Sequence, residues 1–410
     1  VANLFVDLSP LRDSKNFRLL FIGQLISGLG DQITIVAISY EIYRLTHSSL
    51  LVGLVSLVQL IPLLLASLGG GPIIDRTDRR RLLIWGFGAS TLAGVVLYLD
   101  VIPSHPSIWP IFALSAFSAG VSGIVKPAQS AVIPQMVARD KVTAAIAIRQ
   151  MMFQIGLVVG PAVAGILIAH FAVATALGID ALTYLVGAIA CFFLPPLHPV
   201  EKSKSRGLKS IKEGFSEVAS SQILKGIFLI DLVAMVFGMP RALFPALALT
   251  HFHDGASGLG YLYSALGVGA SIGAVTSGWV TNIKRQGLGI ILSVLSWGTA
   301  IIVFGAINSI SLALLLLAVA GYVDLVSSVL RNAILQRIAP PEMRGRLFSI
   351  QISVVTGGPR LGDLESGGAS ALLGTTLAVI TGGVACVAGS LAIWKLLPKF
   401  SRYSAGEKAP

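Results

Sequence analysis

The sequence predicts an all-α polytopic membrane protein with twelve transmembrane helices in two pseudo-symmetric six-helix bundles. Three observations carry this. Apolar runs of spanning length recur along all 410 residues, 54% of the residues are hydrophobic, and only 12% are charged. A soluble domain carries about 25% charged residues; here the mean hydropathy is +0.83. Composition therefore excludes a soluble enzyme, a disordered chain and a disulfide scaffold. The 44 glycines fit the same class, because small residues let helix backbones approach closely in lipid. Cys191 and Cys386 lie in apolar runs without a CxxC and read as packing residues.

A bilayer core of about 30 Å needs about 20 apolar residues. The runs, with the basic segments that separate them, follow in order. Arg12, Lys15 and Arg18 precede spans at 19–43 and 50–74. Arg76, Arg79, Arg80 and Arg81 lead into 82–101 and 108–133. Arg139 and Lys141 lead into 143–169 and 173–195. Lys202, Lys204, Arg206, Lys209 and Lys212 precede 222–249 and 257–282; Lys284 and Arg285 precede 288–307 and 309–334. Arg337, Arg344 and Arg346 precede 347–373 and 375–394, and Lys395, Lys399, Arg402 and Lys408 follow. The intervening loops hold Arg44 alone. This positive-inside bias predicts that both termini are cytoplasmic. The +11 net charge thus reports topology and implies no nucleic-acid partner. The opening segment shows no cleavable-signal pattern.

One inward segment is longer than the rest. It predicts a division into an N-terminal bundle (1–195), a cytoplasmic linker (196–221) and a C-terminal bundle with its tail (222–410). The halves echo each other. Gly160-Pro161 matches Gly358-Pro359, and Gly71-x-x-x-Asp75 is echoed by Gly278-x-x-x-Asn282. Lys126, before Pro134, has a counterpart in Arg331, before Pro340. Duplicated six-helix halves are a transporter architecture whose substrate site is expected at the midplane, where the halves meet.

The second and third spans are joined by Gly71-Pro-Ile-Ile-Asp75-Arg76-Thr-Asp78-Arg79-Arg80-Arg81. This resembles the signature loop of the major facilitator superfamily, Gly-x-x-x-Asp-Arg-x-Gly-x-Arg-Arg, with Asp78 replacing the second Gly. The resemblance implies a latch in which the Asp75 carboxylate meets the positive N-terminus of the eleventh helix, near Arg346. The fifth span carries Gly156, Gly160, Pro161, Ala164 and Gly165, which resembles the superfamily's antiporter motif with Ala164 at one Gly position. That resemblance implies export. As bare chemistry, the small residues form a packing face and Pro161 a place to bend. With Gly30-Asp31 and GGPRLGDLESG at 357–367, the whole chain resembles the branch of bacterial enterobactin-type siderophore exporters and related drug pumps.

An ionisable group at mid-membrane costs several kcal/mol and is expected to face a cavity or a partner. Gln24, Ser27, Asp31 and Thr34 form one polar stripe at helical spacing. Desolvation favours a neutral carboxyl, so alternating water access would let Asp31 bind and release a proton. Asp31 is the leading proton-coupling candidate, beside a structural, hydrogen-bonded alternative; Asp324 and Asp363 are further candidates. Asp324, Ser328 and Arg331 share a face, and Arg360 and Asp363 are expected to neutralise each other. Asp231 and Arg241 lie in a seventh span broken by Pro240 and Pro245, and Lys126 could meet an anionic cargo. With Gln24, Arg331 and Arg360, these are the cavity and cargo candidates. Glu41 and Asp180 read as interfacial.

Three signals are set aside. Gly269-Ala-Ser271-Ile-Gly273 lies inside a span and reads as helix packing; His251-x-His253-Asp254 reads as outward loop. No phosphate-binding Gly-x-x-x-x-Gly-Lys-Ser/Thr occurs. The expectation is a non-enzymatic, monomeric, proton-driven exporter in a bacterial cytoplasmic membrane, without metal or cofactor. Its partners are protons, the lipid bilayer and a small organic cargo, either a siderophore or an amphipathic drug. A nutrient symporter of the same fold and a non-transporting membrane receptor or assembly factor are the alternatives.

Overall fold

The computed structural model describes residues 7–103, 106–197, 208–340 and 342–405. Lys202, Lys204, Arg206 and Lys408, assigned above to basic segments, lie outside the described residues. Among the described residues every regular element is helical. Lys15–Thr46 (α1), Ser49–Gly69 (α2), Arg79–Val101 (α3), Ile108–Met136 (α4), Val142–His170 (α5) and Val173–Phe192 (α6) occupy the first six apolar runs. Leu208–Ser220 (α7) is a helix inside the stretch expected to be a polar linker. Then follow Gln222–Phe237 (α8), Gly255–Thr276 (α9), Gln286–Ala306 (α10), Ile310–Ile338 (α11), Arg344–Leu373 (α12) and Thr375–Leu396 (α13).

Eleven helical stretches among the described residues are long and apolar enough to cross a membrane. The other run expected to span, α12, has the length, at 30 residues, but Arg360, Asp363 and Glu365 lower its apolar content. The chain is an integral membrane protein. Helix ends follow local chemistry. Asp78 caps α3 by accepting from Arg80 N, and Ser221 caps α8 by accepting from Leu224 N. Gly374, at φ +82°, ends α12 in the left-handed region that favours glycine.

Two runs are irregular, the seventh of them where the sequence expects it. The second stops at Gly69, and Gly71–Arg76 forms a separate short helix. The seventh breaks after Phe237 and resumes through the 3₁₀ turn Arg241–Leu243 and the π-turn Leu247–His251. Pro240 and Pro245 lack the N–H a continuous helix needs. At the break, Trp297 Nε1 donates to Gly238 O at 2.6 Å, giving a backbone carbonyl a partner where lipid offers none.

The chain divides into two compact units. The first comprises Val1–Leu45, Val58–Ser205 and Gly255–Gly260; the second comprises Thr46–Leu57, Arg206–Asp254 and Tyr261–Pro410. In the first, α3 packs extensively on α6, and α1 runs antiparallel to α6, with Gly23 near Gly187 and Gly30 near Asp180. Phe17, Leu20, Leu83, Phe87, Ala128, Ile148 and Cys191 belong to one buried apolar cluster. In the second, α10 packs on α11 and α13, and α8 on α12. The glycines of the Gly-x-Ser-x-Gly stretch face α11, with Gly269 against the Ala318 backbone. Helix packing explains that stretch.

Candidate functional site

In the first unit the α1 stripe meets α4 and α6. Asp31 accepts a hydrogen bond from the Tyr184 hydroxyl, and Lys126 Nζ lies 3.5 Å from Asp31 Oδ2. The Lys126 side chain is 63% exposed and that of Asp31 28%. Ser27 is buried and bonds back to Gln24 O at 3.4 Å. One turn beyond Asp31, Thr34 Oγ1 donates to Asp180 Oδ2 at 2.5 Å.

Asp180 and Glu41, read as interfacial from their places near helix ends, are both buried within the protein. Asp180 is buried at 3% exposure and Glu41 at 1%. Asp180 turns from α6 towards α1 at Gly30, where a Cβ would collide with Asp180 and Thr183. Glu41 pairs with Arg44 at 2.6 Å on its own helix. Tyr184 and Thr183 were missed. Asp180, Thr183 and Tyr184 stand at i, i+3 and i+4, and that polar face of α6 was the available signal.

The second unit gathers its charges differently. Arg331 Nη1 lies 3.0 Å from Asp231 Oδ1, and Nη2 lies 3.7 Å from Asp324 Oδ1. Arg331 Nη1 also donates to Ser327 Oγ at 3.0 Å. Ser328, grouped with this face from its spacing, instead pairs with Asn332 at 3.5 Å. Asp231 therefore joins α11, apart from its sequence neighbour Arg241. Arg360 and Asp363, expected to neutralise each other, remain within electrostatic reach but form no close ion pair. Asp363 Oδ2 accepts from Ser56 Oγ at 2.8 Å, while Arg360 Nη1 donates to Thr356 O one turn back at 2.8 Å. α12 presents Asp363 to α2, where the Ser56 hydroxyl is its hydrogen-bond donor, while the Arg360 guanidinium bonds back to its own helix.

The signature loop is built into the first unit. Arg79 Nη1 donates to Ala131 O at 2.9 Å, and Arg80 Nη2 to Phe192 O at 2.5 Å. The Arg80 guanidinium also lies 5.6 Å from the Phe192 ring centroid. Asp78, at the position where the superfamily pattern has Gly, caps α3 and accepts from Leu197 N at 3.1 Å, while Arg79 N donates to Leu197 O at 3.0 Å. The substitution thus ties the loop to the chain after α6. Gly71 opens the short helix, Arg76 and Arg81 are exposed, and the Asp75 side chain lies outside the described residues. Arg346 forms an ion pair with Glu213 of α7 at 2.5 Å.

The antiporter-like residues line a close contact. Gly160 faces Gln32 and Leu29 O of α1, beside Asp31; Gly165 and Pro161 O face Gly260 of α9. Gly156, Gly160, Pro161 and Gly165 are all buried, and α5 continues unbroken through Pro161. A broken helix is found in the seventh run, at the prolines where the sequence expects it.

A family model described as transmembrane secretion effector matches residues 6–407. The enterobactin exporter EntS of Shigella boydii serotype 4 (strain Sb227) is 30% identical over 368 residues, covering 90% of this chain and 88% of that protein. EntS of Citrobacter koseri is 28% identical over 398 residues, covering 97% and 95%. Among solved structures, the nucleoside transporter NupG superposes with a TM-score of 0.77 at 13% identity, covering 93% of this chain and 98% of its own. A bacterial homolog of the human lysosomal transporter Spinster gives 0.72 at 16% identity, covering 95% and 97%. The structural likenesses establish the major facilitator fold.

Proposed function

The chain belongs to the transmembrane secretion effector family, and from that premise we propose that it exports a small organic molecule of the siderophore class by proton antiport. The supporting observation is the membrane-embedded Asp31, held between the Tyr184 hydroxyl and Lys126. An ionised Asp31 accepts hydrogen bonds and pairs with Lys126; a protonated one releases the lysine and gives up an acceptor. A polyhydroxylated cargo that donates to the Asp31 oxygens competes with the proton for the same atoms. That competition is what couples the two fluxes in opposite directions. Lys126, largely exposed, offers a cation to the cargo's oxygen atoms.

Alternating access would load the cargo from the cytoplasm as Asp31 loses its proton there, and reload Asp31 from outside as the cargo leaves. At 100 mV one proton contributes about 2.3 kcal/mol, enough for roughly fifty-fold accumulation. On this reading both termini are cytoplasmic, the host membrane is a bacterial inner membrane, and the chain works as a monomer without a catalytic step. The N-terminal bundle (1–195) and the C-terminal bundle (222–410) would be connected along the chain by the 196–221 linker, and Asp324 and Asp363 would hold structural charges.

The experiment is enterobactin uptake into inside-out membrane vesicles with an acidified lumen. Accumulation that a protonophore abolishes and Asp31→Asn removes is the expected result. No uptake with well-expressed protein, or uptake indifferent to the protonophore, would overturn the proposal; accumulation only in right-side-out vesicles would reverse its direction.

A further inference from the structure

Asp31 is one member of a crossed pair. Along the antiparallel contact of α1 and α6, the Asp31 carboxylate of α1 takes a hydroxyl from Tyr184, and the Asp180 carboxylate of α6 takes a hydroxyl from Thr34. The two rungs are one helical turn apart. They differ in their access to charge. Asp31 has Lys126 beside it, whereas Asp180 forms no ion pair among the described residues and is 3% exposed.

Hydrogen positions around Asp180 follow from simple counting. A threonine hydroxyl has one proton and two lone pairs. Thr183 Oγ1 has one proton for two acceptors, the Asp180 main-chain carbonyl at 2.7 Å and Asp180 Oδ1 at 3.4 Å. Spent on the nearer carbonyl, it leaves Oδ1 poorly served as an acceptor, and a carboxyl protonated on Oδ1 does not need that donor. Oδ2 remains the acceptor for Thr34.

The surroundings agree. On α1 the nearest charge is Asp31, which opposes a second negative charge, and the Glu41–Arg44 pair further along is self-neutralising. On α6 the neighbour is Tyr184. From α3, Tyr98 lies against Gly178, and Asp100 stands at that helix's end. From α4, Lys126 serves Asp31. α5 carries Arg149 and His170; the His170 ring is engaged with Ile166 O at 3.0 Å, and neither residue is ion-paired. An uncompensated charge at such depth costs several kcal/mol. The space for the carboxyl is made by Gly30, whose Cβ would occupy it.

We infer that Asp180 is a second proton-binding site, a buried carboxylic acid one turn from Asp31 and linked to it through the hydroxyl-lined face of α6. The inference rests on the reading of this unit as the proton-handling half of the transporter. Its test requires no cargo. Infrared difference spectroscopy of the purified protein in lipid, at neutral pH, reads protonated carboxyl groups directly. Asp180→Asn is expected to remove one such band, and Asp31→Asn to retain it while displacing the pH at which it disappears. A well-folded Asp180→Asn protein with an unchanged band overturns the inference. Should that variant not fold, Thr34→Val, which deletes the donor to Oδ2, must shift the same band, and an unshifted band overturns the inference equally. Failure of enterobactin transport would sink the proposed function while leaving this spectrum unaffected.

Discussion

Lys126 and Arg331 occupy corresponding places in the two halves of the sequence, each several residues before a proline, yet their settings are opposite. Lys126 is 63% exposed and reaches one carboxylate at 3.5 Å. The Arg331 side chain is 3% exposed and is held between Asp231 at 3.0 Å and Asp324 at 3.7 Å. A compact ammonium on a flexible stem can leave its partner for a ligand. A guanidinium, with its planar fork fixed by two carboxylates and a serine, cannot move without stranding buried charge. The two units thus hold their membrane charges differently, one with an exposed lysine beside a single carboxylate and one with a buried guanidinium between two.

Arg331→Met would break this contrast most forcefully. With Asp231 and Asp324 left uncompensated, it should destabilise the protein by about 3–5 kcal/mol, read as a lowered melting temperature in detergent. Adding Asp231→Asn and Asp324→Asn should recover much of the loss. Stability equal to wild type in the single variant would refute a structural role for the triad. Next is Gly30→Ala in the first unit, where the added methyl meets Asp180 and Thr183. Overpacking there should cost about 1–3 kcal/mol. Gly28→Ala, with nothing within 4 Å of the new Cβ, should be neutral or slightly stabilising; equal effects at both positions would deny the close α1–α6 contact.

Asp78→Ala removes an N-cap and the tie to Leu197, and a loss of about 1 kcal/mol is expected from denaturation midpoints. Asp78→Gly, which restores the superfamily residue, should cost less, because glycine is a tolerable cap. The smallest stability change belongs to Lys126→Met. A largely exposed pair contributes about 0–1 kcal/mol, so the melting temperature should barely move while proton-dependent enterobactin transport falls at least tenfold. A Lys126 variant as unstable as the Arg331 variant would erase the difference between the halves.

The broad architecture was legible because each of its signals is local. Apolar length sets a span, and glycine, proline and basic runs mark its ends. Asp31 was legible too, since a carboxylate inside an apolar run stands out in one dimension. Its partners were not. Tyr184 is 153 residues away, and nothing in the spacing along α1 says which face of which helix will meet it. Asp180 drew little notice for the same reason. Its place near the end of a run says nothing of its partners, and the rotation of α6 about its axis turns the group towards Thr34.

The remaining differences share one cause. Arg360 and Asp363 are one turn apart in sequence and were expected to pair, yet the hydrogen-bond donor to the aspartate is Ser56. Asp231 lies near Arg241 in sequence but reaches Arg331, 100 residues on. Pro161 leaves α5 intact, while Pro240 and Pro245 accompany a break that Trp297 satisfies. By itself the sequence determined that the chain is a helical, many-spanning membrane protein, roughly where its apolar runs lie, and which of them carry charge, because hydrophobic length acts within a few residues. Only the tertiary structure decided which buried charge meets which partner, because a charge removed from water takes the nearest satisfying group in space, and helix rotation and packing set that distance.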